Sequence, residues 1–193
     1  MAVIAGLLFL AFAYFLVGQA ALTRNSAQTA ADAAALAAAQ DAREQLRDGW
    51  IEVIHDPQQW DRFLQGEVDT EVSACRQAAE FAARNEAVLA GDGCVSLATG
   101  DHGFRVTVST AGRETHRATA SAEAVLEPRC RSDAPEPTPD PSEPTPAPTP
   151  TSPDEPEEKP IVGLVCDGEP WVIDPDNPSL PGAVDLFRVR LSD

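Results

Sequence analysis

The stretch TRNSAQTAADAAALAAAQDAREQLRDGW, residues 23–50, decides the fold. It holds no Pro, no Gly before Gly49, and is dominated by Ala, Leu, Gln, Glu and Arg. These residues lose least on entering a helix, so one helix is expected across the stretch. Ala27, Ala31, Ala34 and Ala38 recur at i, i+4, i+7 and i+11 and therefore share a face. Side chains this small let another helix approach closely. The covering helix belongs either to the chain's own outer domain or to a partner, and periodicity does not distinguish the two.

Upstream lies MAVIAGLLFLAFAYFLVGQAAL, residues 1–22, without a charged side chain. As a helix, Ile4–Leu22 is about 28 Å long, close to the roughly 30 Å of a bilayer's hydrocarbon core. Its Val, Ile, Leu and Phe side chains each favour insertion by roughly 0.3–0.6 kcal/mol at a helix centre. A transmembrane helix over 1–22, surrounded by membrane lipid, is the expectation. A cleaved signal peptide, using the small residues around Gly18, Ala20 and Ala21, is the competing reading. The apolar run exceeds the usual h-region of about 7–15 residues, and no basic region precedes it. With no breaker at the junction, one helix is expected from Ile4 to about Asp48, roughly 67 Å, its residues 23–48 forming an Ala-rich stalk.

A chain of 193 residues suits one small domain with appendages. A formal charge of −17 excludes general affinity for phosphate backbones, which requires Lys and Arg to displace counterions, so nucleic acid is not an expected partner. Cys75, Cys94, Cys130 and Cys166 behind an export-like N-terminus suggest two disulfides in an oxidising compartment. Three connectivities are possible. Cys75 with Cys94 and Cys130 with Cys166 is preferred, because the first pair encloses one loop and the second brackets a proline tract. A zinc site is disfavoured: the cysteines are single and widely spaced, and His55, His102 and His116 have no neighbour at ligand spacing. Arg24, just past the apolar run, would by the positive-inside rule alone keep the rest of the chain in the cytoplasm; the cysteines argue for the outside.

Residues 49–130 read as an outer α+β domain. Gly49 and Asp56-Pro57 break the chain, and a helix is expected from about Thr70 to Leu89, closed by a Gly91-Asp92-Gly93 turn. Trp50, Trp60 and Phe63 read as core rather than as a ligand cage. Phe104, Val106 and Val108 alternate on one strand face, ATASAEAVLEPRC at 118–130 gives a second strand, and a turn around Ala111-Gly112-Arg113 would join them.

Residues 132–160 hold eleven of the chain's seventeen prolines among Thr, Ser, Asp and Glu, which cannot build a core. A disordered, extended Pro-rich acidic linker or surface loop is expected over 131–160. Residues 161–193 return to apolar alternation, and short strands around Val162–Cys166, Trp171–Ile173 and Leu186–Leu191 are expected to join the earlier hairpin. Asp174-Pro175-Asp176-Asn177 lacks the spacing of a calcium loop and reads as a turn. No nucleophile elbow, phosphate-cradling glycine loop or histidine–carboxylate metal cluster is present, so neither catalysis nor a metal or other cofactor is expected.

The helix running through Gly18, Gln19 and Ala20 into TRNSAQTAADAAALAAAQDAR resembles the TadE/TadG-like proteins of Tad (Flp) pilus systems, closest to the actinobacterial TadG-related proteins. The AQTAADAAALAAA segment at 27–39 carries most of this likeness. The resemblance implies a membrane-tethered minor pilin or pilus-assembly component whose partners are other pilin-like or assembly subunits reached through the N-terminal helix. The combined expectation is an α+β protein with a long transmembrane and stalk helix, short helices and a small antiparallel sheet. It would be a non-enzymatic structural or assembly component of a Tad-like pilus or secretion apparatus, single-pass in the cell membrane with its C-terminal domain extracellular. A membrane-anchored, surface-exposed binding or adhesin-like protein is the alternative.

Overall fold

The structure, a computed structural model, describes residues 2–97, 102–111, 117–133, 160–174 and 179–192, with the backbone alone at 2, 16, 17, 19 and 20. Helix α1 spans Ala2–Glu52, 51 residues without interruption, about 76 Å at 1.5 Å per residue. It runs straight through Gly49, which the sequence suggested as a breaker. A Cβ at Gly49 would lie 2.4 Å from Cε1 of Phe63, so this glycine opens room for a ring instead of ending the helix.

After α1 come a 3₁₀ turn Pro57–Gln59, α2 (Trp60–Leu64) and α3 (Glu71–Arg84). Four antiparallel strands, β1 (Ala87–Ser96), β2 (His102–Thr110), β3 (Thr119–Pro128) and β7 (Phe187–Leu191), form one sheet in the order β1-β2-β3-β7. A second antiparallel sheet contains β4 (Cys130–Ser132), β5 (Ile161–Cys166) and β6 (Glu169–Ile173). Short helix α4 (Ala183–Leu186) precedes β7. The class is α+β, with a long N-terminal helix and antiparallel sheets.

Three expectations change in detail. Helix α3 stops at Arg84 instead of continuing to Leu89: Asn85 folds its side-chain amide back onto the carbonyl of Phe81 at 2.8 Å, and Glu86 takes φ 56°. Left-handed backbone at that point turns the chain into β1. Gly91-Asp92-Gly93 is not a turn but the bulge of β1, where the register slips between Leu89 and Cys94, with Gly91 at φ 59° and Gly93 at φ 69°. Of the C-terminal strands only β7 joins the hairpin sheet, whereas β5 pairs with β4 and β6 with β5. The expected turn centred on Gly112, the polyproline conformation of the proline tract and most of the Asp174–Asn177 turn lie outside the described residues.

The stretch expected to form a stalk carries the core. Ala27, Ala30, Ala31, Ala34, Ala35, Ala38, Ala39, Ala42, Leu46 and Trp50 of α1 are all buried. At 100° per residue they cover about 200° of the helix circumference, far more than the single stripe read from spacing. α1 therefore packs both on α3, which presents buried Ala74, Ala78 and Ala82, and on β2 and β3, while α3 lies along β1. Alanine on alanine allows the close helix approach. Bulk collects at the far end of α1, where Trp50, Trp60, Leu64, Leu164, Ile173, Leu186 and Phe187 are fully buried. Trp50 and Trp60 meet edge-on at 5.5 Å, and the Trp60 indole donates to the carbonyl of Val53 at 3.1 Å.

Candidate functional site

Two regions are left over once the core is accounted for: the bare first half of α1, and the far end of the domain. Every large apolar side chain described between Val3 and Leu22 is at least 60% exposed, so nothing among the described residues covers it. Burial begins abruptly at Ala27. Among the described residues no helix is long and apolar enough to cross a membrane. The run with described side chains, 3–15, is about 20 Å long. The expectation of a spanning segment over 1–22 is thus carried only as far as an exposed apolar helix. Ala27, Ala31, Ala34 and Ala38, considered above as a docking stripe, lie inside the chain's own fold.

The strand registers and shared linings orient the domain along α1. Near its emergence from the core, Gln28 and Asp32 share a 430 Å³ cleft with Ser121, Ala122, Glu123, Leu191 and Ser192. Some 20 Å further along, Ala42 and Leu46 share a 460 Å³ cleft with the α2–α3 loop, His102, Phe104 and Leu126. The first turn of β1 and the end of β2 pair as Ala87 with Thr110 and Val88 with Ser109, and Thr119 of β3 faces Ser109, so these termini all lie at the near end. The second sheet and α2 lie at the far end, beside Trp50.

The far end is covalently stapled. Cys130 and Cys166 are bonded across β4 and β5, where they are directly paired, and Cys75–Cys94 ties α3 to β1 beyond its bulge. Arg129, between β3 and β4, pairs with Asp167, donates through Nη1 to the Val184 carbonyl at 2.9 Å, and through its backbone N–H to the Leu186 carbonyl at 2.8 Å. The hydrogen bond that the guanidinium donates to Asp167, followed by the attraction of the carboxylate's charge, raises the Arg129 pKa, which leaves the guanidinium a permanent cation. One half-buried arginine thereby joins both sheets and α4. Sequence spacing gave no sign of it, because Arg129 and Asp167 meet only after the Cys130–Cys166 strands pair.

The α2–α3 cleft has an apolar floor of Leu46, Phe104 and Leu126 under Glu67, Asp69 and Glu71. Glu71 is already engaged, accepting hydrogen bonds from the hydroxyl and the N–H of Ser96. Among the described residues no three His, Cys, Asp or Glu side chains converge as a metal site. His55 and His102 stand apart from one another in the chain, and His116 lies outside the described residues.

These features define a class: a disulfide-stapled α+β domain threaded by one helix whose apolar first half is left bare. The family model described as Flp pilus-assembly TadE/G-like matches residues 1–41, the bare segment and the first buried turns of α1. No curated protein and no solved structure matches the chain.

Proposed function

We propose that this protein is a membrane-anchored structural or assembly component of a Tad-like pilus or secretion apparatus, acting by packing rather than by catalysis. The observation that carries the reading is the coincidence of the bare apolar half of α1 with the segment similar to TadE/G-like proteins. Apolar surface of this extent on one helix is favourable only against lipid or other apolar helices.

In this reading residues 1–22 are a single-pass anchor and the disulfide-bonded domain is extracellular. Oxidised cysteines at Cys75–Cys94 and Cys130–Cys166 suit that compartment. Since the alanine face is occupied by α3 and the sheet, other assembly subunits would meet α1 along residues 2–26, while lipid surrounds the remainder. The membrane segment and the folded segment are parts of one helix, so a partner bound in the bilayer sets the direction in which the domain points.

Thiol labelling tests the topology. In intact cells a membrane-impermeant maleimide should label the protein only after reduction, and the protein should remain in the membrane pellet after alkaline carbonate washing. Labelling that needs lysis but no reductant would place the domain in the cytoplasm and refute this reading.

A further inference from the structure

We propose that Tyr14 marks where α1 meets a second membrane helix, one that belongs to a different chain and presents a hydrogen-bonding side chain at mid-bilayer depth. This rests on the reading of residues 1–22 as a membrane anchor and names the chemistry of the subunit that meets it.

Among residues 1–22 only Tyr14 and Gln19 carry a side-chain O–H or N–H. Gln19 stands three residues from Leu22, within one helical turn of the headgroups. Tyr14 stands eight residues from Leu22, about 12 Å down α1, in a hydrocarbon core about 30 Å thick. Helical side chains lean toward the N-terminus, here away from the outer headgroups, so the phenol hydroxyl lies deeper still, close to the midplane. Membrane tyrosines ordinarily sit at headgroup level, where the ring meets lipid and the hydroxyl meets water. At the midplane the hydroxyl reaches neither water nor headgroup. Tyr14 is 85% exposed and has no hydrogen-bond partner among the described residues. A hydroxyl left bare in hydrocarbon is disfavoured, and a hydrogen-bonding group on a neighbouring helix removes that penalty.

The surface around Tyr14 suits such a neighbour. Val3, Leu7, Leu10 and Tyr14 follow one another at spacings of four, three and four, the spacing of a helix-packing seam, and all are exposed. The phenol is thus set in an apolar ridge that can lie along a second helix.

The domain decides between a second copy and another chain. At 100° per residue, Asp32 and Trp50 fall on the same line as Tyr14, five and ten turns further out. Asp32 shares a cleft with Ser121, Glu123 and Leu191, and Trp50 is buried against Trp60. The chain's own β3 and β7 therefore overhang the Tyr14 face from the first buried turns of α1. A second copy in the same orientation would carry its own α1 and domain outward into that space. The partner that fits is a helix whose span ends, or turns aside, beneath the overhang. Its side chain opposite Tyr14 is a carboxamide, carboxyl or hydroxyl, each able to bond a phenol.

The test uses the full-length chain in phosphatidylcholine vesicles with two polyleucine transmembrane peptides, one carrying a single central Asn and one all Leu. Each peptide also carries a benzoylphenylalanine one turn from its centre. Irradiation should give roughly threefold or more adduct with the Asn peptide, mapping within residues 1–26, and Tyr14→Phe should remove the difference. Equal yields from the two peptides, in protein that resists carbonate extraction, would overturn the contact and leave the anchor standing. A preference for the Asn peptide that persists in Tyr14→Phe would overturn the role of Tyr14. Dimers of the chain itself, counted by single-molecule photobleaching without peptide and lost in Tyr14→Phe, would assign Tyr14 to a second copy and overturn the choice of a different chain. Release by carbonate would overturn the anchor reading, and this inference with it.

Discussion

At the scale of single residues, two glycines carry opposing lessons about propensity. Gly49 sits inside α1, where Ala would ordinarily be worth about 1 kcal/mol more than Gly. The added methyl would meet Phe63 at 2.4 and 2.9 Å, and Phe63 is itself buried. Overpacking costs about 1–3 kcal/mol, so Gly49→Ala should destabilise by about 1 kcal/mol net despite its better helix propensity. Gly103 in β2 is tighter: its Cβ would lie 2.2 Å from the Ala124 carbonyl and 2.8 Å from the Val125 Cα, atoms of the paired strand's backbone that no rotamer change can move. Gly103→Ala should therefore cost about 3 kcal/mol or more. Urea midpoints of the two variants, at unchanged m-value, rank them; a neutral Gly103→Ala would contradict the packing of β2 on β3. Neither role is visible in sequence, where Gly49 reads as a breaker and Gly103 as an indifferent strand residue. Both depend on what lies opposite, and that comes from elsewhere in the chain.

At the scale of elements, the disulfides are expected to differ in the direction that loop length dictates. Cys75–Cys94 closes a separation of 19 residues and Cys130–Cys166 one of 36. In the chain-entropy model these are worth about 3 and about 4 kcal/mol, so Cys130→Ser with Cys166→Ser should lower stability more than Cys75→Ser with Cys94→Ser, as read by equilibrium unfolding. The same staple changes what the proline tract can be. Its feet are held together, with Ser132 paired to Leu164 and the N–H of Asp133 donating to the Gly163 carbonyl at 2.6 Å, so the tract leaves and re-enters one sheet instead of bridging two bodies. Replacing 134–159 by a short Gly/Ser turn should leave the domain folded and change its stability by less than about 1 kcal/mol, because the Cys130–Cys166 bond already closes this loop in the unfolded chain; a collapse in stability would show that the tract packs on the domain. The sequence announced most of the elements through period and composition: the long helix, the β2–β3 alternation and the C-terminal strands. It misled at Ala87–Ala90, whose Ala and Leu favour a helix, because pairing with β2 outweighs local propensity there. It was silent on the division into two sheets, which is set by which strand finds which, a choice made across the whole chain.

At the scale of the whole molecule, α1 has two environments separated by one helical turn. Composition hides the boundary, because the Ala-rich run continues the low-charge character of the segment before it. Burial marks it at Ala27, and the consequence is a test of what the first half is for. The described large apolar side chains from Val3 to Leu22 contribute nothing to the core. Removing residues 1–22 should therefore leave a folded domain whose unfolding free energy lies within about 0.5 kcal/mol of the full chain, the range expected for surface changes. The truncated protein should also stay in solution without detergent, since the large apolar patch that favours aggregation or insertion has gone. In cells it should lose membrane retention and any assembly that depends on the apolar half, while both disulfides still form after export. A fall of about 2 kcal/mol or more would mean that the apolar half stabilises the domain directly. Unaltered membrane retention would mean that the domain itself holds the protein there.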